Sequence, residues 1–370
     1  MNLPRIITLR SSVKRCTAFL ALMVVLSIQQ AGAQPPTKNT QPVPDESGTL
    51  YEQIKVAFVE ILVDGHMAGS GALVDSKGYV ITAAHVLARR GRRIEVLSPV
   101  AGRIKAKLVA VDIGHDLALL KLAHRDKLYP ALTIAKATPA VGETCHLLGT
   151  PLYRHALLLS GKVARRQTGF EFMPQSKSYA EVYYIAGPSP PGTSGGVWVN
   201  DRGEVVGVQS MLMSVSNAVH GISFVVPPMA VAKLLATKRS ASTCSLGAAV
   251  EEIWQHAGDI RKKFPQDARG LFVRSLRKDG PAETAGLKEW DLIQSVDEKP
   301  VERMEQLARY IRAKKVGESV KLVVLSPGKD KPRTVTIPLA ELEAKWKAKS
   351  PPAKTDEKPP AKTPATQTRV

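Results

Sequence analysis

Residues 70–87 read SGALVDSKGYVITAAHVL, and this stretch decides the fold. Two apolar runs, 71–74 and 79–82, are separated by a short polar segment ending in glycine. Runs of that length, cut by a turn signal, read as strands rather than helices. The pattern spreads in both directions, at 56–63, 93–97, 108–111, 117–122, 145–148, 205–208 and 222–226. Many short strands with turns between them and little helical periodicity predict a mostly β domain over 49–236, a barrel or a sandwich.

A small polar segment, 237–248 (TKRSASTCSLGA), reads as a linker. Beyond it, 249–342 mixes strands at 271–273, 292–296, 320–324 and 334–337 with a helix at 303–314. Met304, Leu307 and Ile311 recur there at helical spacing on one face, so this is a small α+β module. The ends differ from both. Residues 1–33 carry a basic start (Arg5, Arg10, Lys14, Arg15), a 13-residue apolar run at 16–28 and an Ala31-Gly32-Ala33 cleavage pattern, which together predict an export signal. Residues 34–48 form a polar, proline-rich lead. Residues 343–370, rich in Lys, Pro, Ala and Thr, hold too little apolar surface to order and predict a disordered basic tail.

The formal charge is +19, and +15 once the four basic residues of the signal are removed. That surplus favours anionic envelope surfaces as electrostatic partners. No nucleic-acid-reading motif accompanies it. No histidine spacing calls for a metal, and no cofactor is expected. Cys145 and Cys244 are too few for a disulfide framework and read as unpaired thiols.

Three motifs carry chemistry. TAAH presents His85, HDLALLKL presents Asp116 and GTSGG presents Ser194, at separations of 31 and 78 residues. A serine attacks a carbonyl only when a base takes its proton, and that base needs an acid to fix its tautomer. His85, Asp116 and Ser194 fit those roles. Gly192 and Ser194 would present backbone N–H groups to the developing oxyanion. The order His, Asp, Ser is the one used on chymotrypsin-type β-barrels.

On these residues the chain resembles trypsin-like serine proteases of the HtrA (DegP-like) type. Residues 70–87 resemble that family's His segment, 116–122 its Asp segment and 191–196 its Ser segment. Residues 221–227 (GISFVVP) resemble the strand that pairs with substrate, which implies Gly221, Ile222 and Ser223 as substrate-binding. Arg269-Gly270-Leu271-Phe272-Val273 looks like a PDZ carboxylate loop entering its edge strand, with Met304 and Leu307 closing the groove. The resemblance implies a chymotrypsin-like double β-barrel followed by a PDZ domain. It also implies a serine endopeptidase exported to the periplasm, acting on unfolded or mislocalised polypeptides and binding peptide C-termini. A non-catalytic scaffold or chaperone on the same fold is the alternative. Trimers of this type use aromatic residues near the N-terminus, here Tyr51 and Phe58. The chain departs from the family in the segment before the nucleophile, 186–193, where Thr193 replaces the usual Asn. Pro188 stands six residues before Ser194, where enzymes cutting after Lys or Arg carry an acid. Small or aliphatic residues are therefore expected before the cut.

Overall fold

A sheet of short strands can bury its apolar face by closing on itself, and this chain closes two barrels. The structure, a computed structural model, describes residues 49–342 apart from 89–92, 174–177, 216–217 and 256–257. The expected signal, lead and tail lie outside the described residues. After helix α1 (Leu50–Lys55) the first barrel comprises β1 (Phe58–Val63), β2 (His66–Asp75), β3 (Tyr79–Ala83), β4 (Ile94–Ser98), β5 (Gly102–Asp112) and β6 (Leu117–Leu122). Its antiparallel order is β1-β2-β3-β6-β5-β4, with β4 returning to β1.

The second barrel comprises β7 (Thr144–Gly149), β8 (Leu157–Met173), β9 (Ser178–Ala186), β10 (Val197–Val199), β11 (Val205–Val215) and β12 (Ala218–Val226). Its order is β10-β11-β12-β9-β8-β7, closed by β7 on β10. Trp198 is fully buried at its centre, and its indole N–H donates to Gln209 Oε1 at 2.8 Å, so the one polar atom of the ring is satisfied. Cys145 packs in the same core, and burial pushes its thiol up to about 12. A thiol held protonated in this way is inert. Cys145 and Cys244 are both free and buried.

Leu148, Val197, Val199 and Val208 of the second barrel pack in one apolar cluster with Ile61, Leu73 and Ile81 of the first. The seam between the barrels is therefore dry, and loops from both meet over it. Helix α2 (Pro228–Thr237) starts on a proline, whose missing N–H costs nothing at that position, and buries Val231 and Leu234 in the same cluster. Phe58 is only 2% exposed within this core, which removes it as an oligomer contact.

The linker is shorter than the sequence predicts. Ser240 Oγ accepts from Val111 N–H and Ala241 N–H donates to Val111 O, pinning the connection to β5. The second domain starts at β13 (Cys244–Ser245), which pairs with the final strand. There follow β14 (Ala248–Glu252), β15 (Leu271–Leu276), α3 (Pro281–Thr284), β16 (Leu292–Val296), β17 (Lys299–Pro300), α4 (Met304–Arg312), β18 (Ser319–Leu325), β19 (Arg333–Pro338) and β20 (Ala340–Glu341). The main sheet runs β14-β15-β16-β18-β19. Helix α4 buries Leu307 and Ile311 against it, as their spacing predicts, with Met304 partly buried beside them. The fully buried Asp291 is satisfied by Arg333 at 2.6 Å, Ser326 Oγ at 2.6 Å and Lys288 N–H at 2.9 Å.

Candidate active site

His85 lies on a single 3-10 turn after β3, and Asp116 lies at the end of another between β5 and β6. Two backbone contacts lock these turns together. Ala84 N–H donates to Asp116 O at 2.9 Å, and His85 N–H donates to Asp116 Oδ1 at 2.9 Å. The side chains then meet, with His85 Nδ1 2.7 Å from Asp116 Oδ2. Asp116 itself takes a left-handed backbone (φ 54°), which an aspartate tolerates better than most residues. Ser210 Oγ, on β11, donates to the same Oδ2 at 2.5 Å. The carboxylate thereby meets His85 N–H, His85 Nδ1 and Ser210 Oγ. Nothing in the local sequence singles out Ser210, because its partner is 94 residues away.

Burial alone would push the His85 pKa down. The charge and hydrogen bond of Asp116 more than offset this, and the net direction is upward. Ser194 Oγ donates to Ser210 O at 3.4 Å, and among the described residues it makes no hydrogen bond to His85. Resting geometry of this kind tightens only when substrate is bound.

The turn before Ser194 is anchored through five successive carbonyls. Pro190 O accepts from Thr193 N–H and Thr193 Oγ1, at 3.2 and 2.8 Å. Pro191 O accepts from Leu152 N–H at 2.9 Å, and Gly192 O from Ser70 Oγ at 2.9 Å. Thr193 O accepts from Gly196 N–H and Ser194 O from Ser70 N–H, both at 2.8 Å. In a trans peptide the N–H points opposite to the C=O. Fixing Pro191 O and Thr193 O therefore fixes the Gly192 and Ser194 N–H groups on the other side, and neither donates to a protein acceptor among the described residues. Gly192 has φ +103°, and a Cβ there would run into Thr150 O, so only glycine fits. Thr193 closes the turn through its own hydroxyl, which accounts for a threonine in place of asparagine.

Three sequence assignments move. Pro188 is exposed and forms no pocket floor; the buried residue is its neighbour Ser189. Ser189 Oγ lies 2.8 Å from Ser223 Oγ, which is also 3.1 Å from Gly187 O. Secondly, residues 223–225 are paired on both sides, with β9 and with β11, so they have no edge for a substrate. Gly221 and Ile222 instead brace the loop, since Gly221 O accepts from Gly187 N–H at 2.8 Å and Ile222 pairs with Ala186. Among the described residues the open edge beside Ser194 is 210–212 of β11, past the point where β10 ends.

Thirdly, β15 is an interior strand, between β14 and β16, and Gly270, Leu271, Phe272 and Val273 are buried. They cannot receive an added strand. The sheet ends at β14 on one side and at β19 on the other, and β14 is the terminal strand beside α4. A cavity of about 630 Å³ lies between β14 and α4, lined by Leu246, Gly247, Ala248, Val250, Met304 and Leu307, among others. Met304 and Leu307 both line this cavity. The missed signal is Leu246-Gly247-Ala248, a glycine between apolar residues just ahead of the edge strand, with Gly247 at φ +72°.

Residues 69–208 match a trypsin-like peptidase domain and residues 245–339 match a PDZ domain. The chain is of the HtrA type, a trypsin-like peptidase domain joined to a PDZ domain. A probable periplasmic DegP-like serine endoprotease of Pseudomonas fluorescens is 30% identical over 276 residues, covering 73% of this chain and 56% of that protein. Its counterpart in Halomonas elongata is 32% identical over 275 residues, with the same coverage. Serine protease HTRA1 of Xenopus tropicalis is 28% identical over 282 residues, covering 73% and 59%. The chain spans little more than half the length of these curated relatives. The HtrA-type protease AlgW with a decapeptide superposes with a TM-score of 0.58 at 20% identity, over 79% of this chain and 98% of that one. The serine endoprotease from Yersinia pestis does so with 0.53 at 23%, over the same shares. Both have the fold of this HtrA-type chain.

The raised His85 pKa sets a pH dependence. The base must be neutral, so kcat/KM of an active enzyme falls as pH drops through a value above the ordinary histidine pKa of about 6.5. Asp116→Asn removes the charge that raises it. That variant is expected to lose about 10⁴ in kcat, the size of the same change in trypsin, and to show its acid limb at lower pH. A limb that does not move would separate Asp116 from the titrating base.

Proposed function

We propose that this chain is a periplasmic serine endopeptidase that hydrolyses unfolded or mislocalised polypeptides through an acyl-enzyme. The observation that carries the reading is the oriented pair of N–H groups at Gly192 and Ser194, next to a hydroxyl and a His85–Asp116 couple. In this reading His85 takes the Ser194 proton as Oγ attacks the scissile carbonyl, and Asp116 stabilises the imidazolium. The two N–H groups meet the charge that develops on the carbonyl oxygen. His85 then returns the proton to the leaving amine, and water repeats the sequence on the ester. Substrate backbone lies along 210–212. The names of the DegP-like relatives support the periplasm; among the described residues no helix is long and apolar enough to cross a membrane.

In the same reading a peptide C-terminus docks at the second domain. The loop 245–247 meets the carboxylate, with Gly247 N–H released to it from Ser245 Oγ, its acceptor at 3.0 Å, and the peptide adds to β14. One protease residue already stands there. Tyr179 Oη donates to Val250 O at 3.0 Å and accepts from Val250 N–H at 3.1 Å. These are the outward-facing groups of β14 that an added strand would use, so a peptide has to displace the Tyr179 hydroxyl.

Three outcomes are expected. Ser194→Ala abolishes casein cleavage while leaving Tm nearly unchanged; a folded Ser194→Ala protein that still degrades casein removes the acyl-enzyme. An inactive wild type that still suppresses aggregation would favour the scaffold or chaperone reading. Cleavage products end mainly in small residues such as Ala, Val, Ser or Thr, because the buried floor at Ser189 and Ser223 holds hydroxyls and no carboxylate. Products ending chiefly in Lys or Arg would contradict that floor. Tyr179→Phe tightens binding of a peptide with a free apolar C-terminus by about fivefold, the equivalent of one hydrogen bond worth ~1 kcal/mol. Unchanged affinity by calorimetry would show that the hydroxyl does not compete.

A further inference from the structure

The oxyanion turn has no intrinsic reason to hold its shape. Gly192 has no side chain, and its φ of +103° is one of several conformations a glycine visits. Rotation of the Pro191–Gly192 peptide would replace the inward N–H by a carbonyl, which repels the charge it is meant to receive. Something outside the turn has to forbid that rotation.

Two contacts do so, one on each peptide plane flanking Gly192. Leu152 N–H holds Pro191 O, and Ser70 Oγ holds Gly192 O. The Ser70 hydroxyl also accepts from Thr150 N–H at 3.1 Å, so one oxygen ties together the oxyanion turn and the turn that carries Leu152. Ser70 is fully buried.

The turn carrying Leu152 is itself under strain. Leu152, Tyr153 and Ala156 all have positive φ, at 47°, 63° and 51°. Such conformations persist only when their surroundings impose them. Packing does not, since the Leu152 and Tyr153 side chains are 53% and 73% exposed. Polar ties do. Glu60, buried on β1 of the other barrel, accepts from Thr150 Oγ1 at 2.7 Å and from His155 Nδ1 at 2.6 Å on the same oxygen. Tyr51 Oη donates to Ala156 O at 3.1 Å.

We propose that Ser70 and Glu60 are positioning residues for the oxyanion hole: first-barrel groups that clamp the 150–156 turn and the Gly192 peptide of the second barrel into the charge-stabilising arrangement. Neither touches substrate. Both act through Leu152 N–H and Gly192 O, so the hole exists only while the two barrels are docked. The proposal rests on the serine-peptidase reading above.

The test uses the full chain and a fluorogenic peptide ending in a small residue before the cut. Ser70→Ala is expected to lower kcat by about 10², the cost of misplacing reacting groups by roughly 1 Å, with KM little changed. Inhibition by the matching peptide aldehyde, whose adduct places an oxyanion in the hole, weakens in parallel. A purely structural role would lower Tm without moving the aldehyde affinity relative to KM. The acid limb of the pH profile stays in place, because His85 and Asp116 are untouched. Glu60→Gln keeps an acceptor for Thr150 and is expected to lose less than Glu60→Ala in both kcat and aldehyde affinity; this pair carries the test if Ser70→Ala does not fold. An active wild type whose Ser70 and Glu60 variants keep full kcat and aldehyde affinity overturns the clamp alone. A wild type that neither cleaves peptide nor binds aldehyde overturns the peptidase reading, and the clamp with it.

Discussion

One buried serine, Ser70, holds the site together. Its N–H donates to Ser194 O, its hydroxyl donates to Gly192 O and accepts from Thr150 N–H, and its carbonyl accepts from Thr82 Oγ1 at 2.7 Å. Every polar group of the residue is used, and three of the four partners tie β2 to loops of the second barrel. A hydrogen bond in this dry seam is worth more than one at the surface, and leaving one unmade costs about 1–3 kcal/mol. The apolar cluster shared by the two barrels brings them together. The polar knot over it decides in which register the loops meet.

The second domain is tied to the first by contacts of a different kind. Arg165 pairs with Glu305 at 2.8 Å, Arg309 reaches the backbone of Thr168, and Arg312 donates to Tyr179 O at 2.5 Å. Burial lowers the pKa of Arg312, and Asp112 and Glu181 oppose that by their charge. All three arginine- or acid-bearing ends belong to α4, the helix that lines the cavity beside β14. Anything that moves α4 or displaces Tyr179 therefore acts on the β8–β9 hairpin, whose far end pairs with the strand beside the Ser189–Ser223 floor.

The sequence made some of this legible and hid the rest for physical reasons. His85, Asp116 and Ser194 could be read because the backbone around each is locally specified: a tight turn after a strand, an acid at a strand entry, glycines flanking a nucleophile. Helix α4 could be read because Met304, Leu307 and Ile311 share one face. Apolar pattern tracks burial, so it points to β15 and not to the terminal strand β14. Leu271, Phe272 and Val273 read strongly because they sit inside the sheet, whereas β14 reads weakly because it ends the sheet. Pro188 is exposed and Ser189 is buried, which counting back from the nucleophile does not foresee in a loop containing Pro188, Pro190 and Pro191. Ser70, Glu60 and Ser210 act through partners 80 to 122 residues away, and no local pattern encodes such distances.

The central claim is that the turn at 190–194 is already set for acyl chemistry. Incubation with a fluorophosphonate followed by peptide mass spectrometry tests it directly, because phosphonylation needs both an activated serine and N–H groups to receive the phosphoryl oxygen. The account predicts a single adduct, on Ser194, formed faster above the His85 pKa than below it and sharply slowed in Asp116→Asn. A folded wild-type protein that remains unmodified under conditions that label trypsin would contradict it.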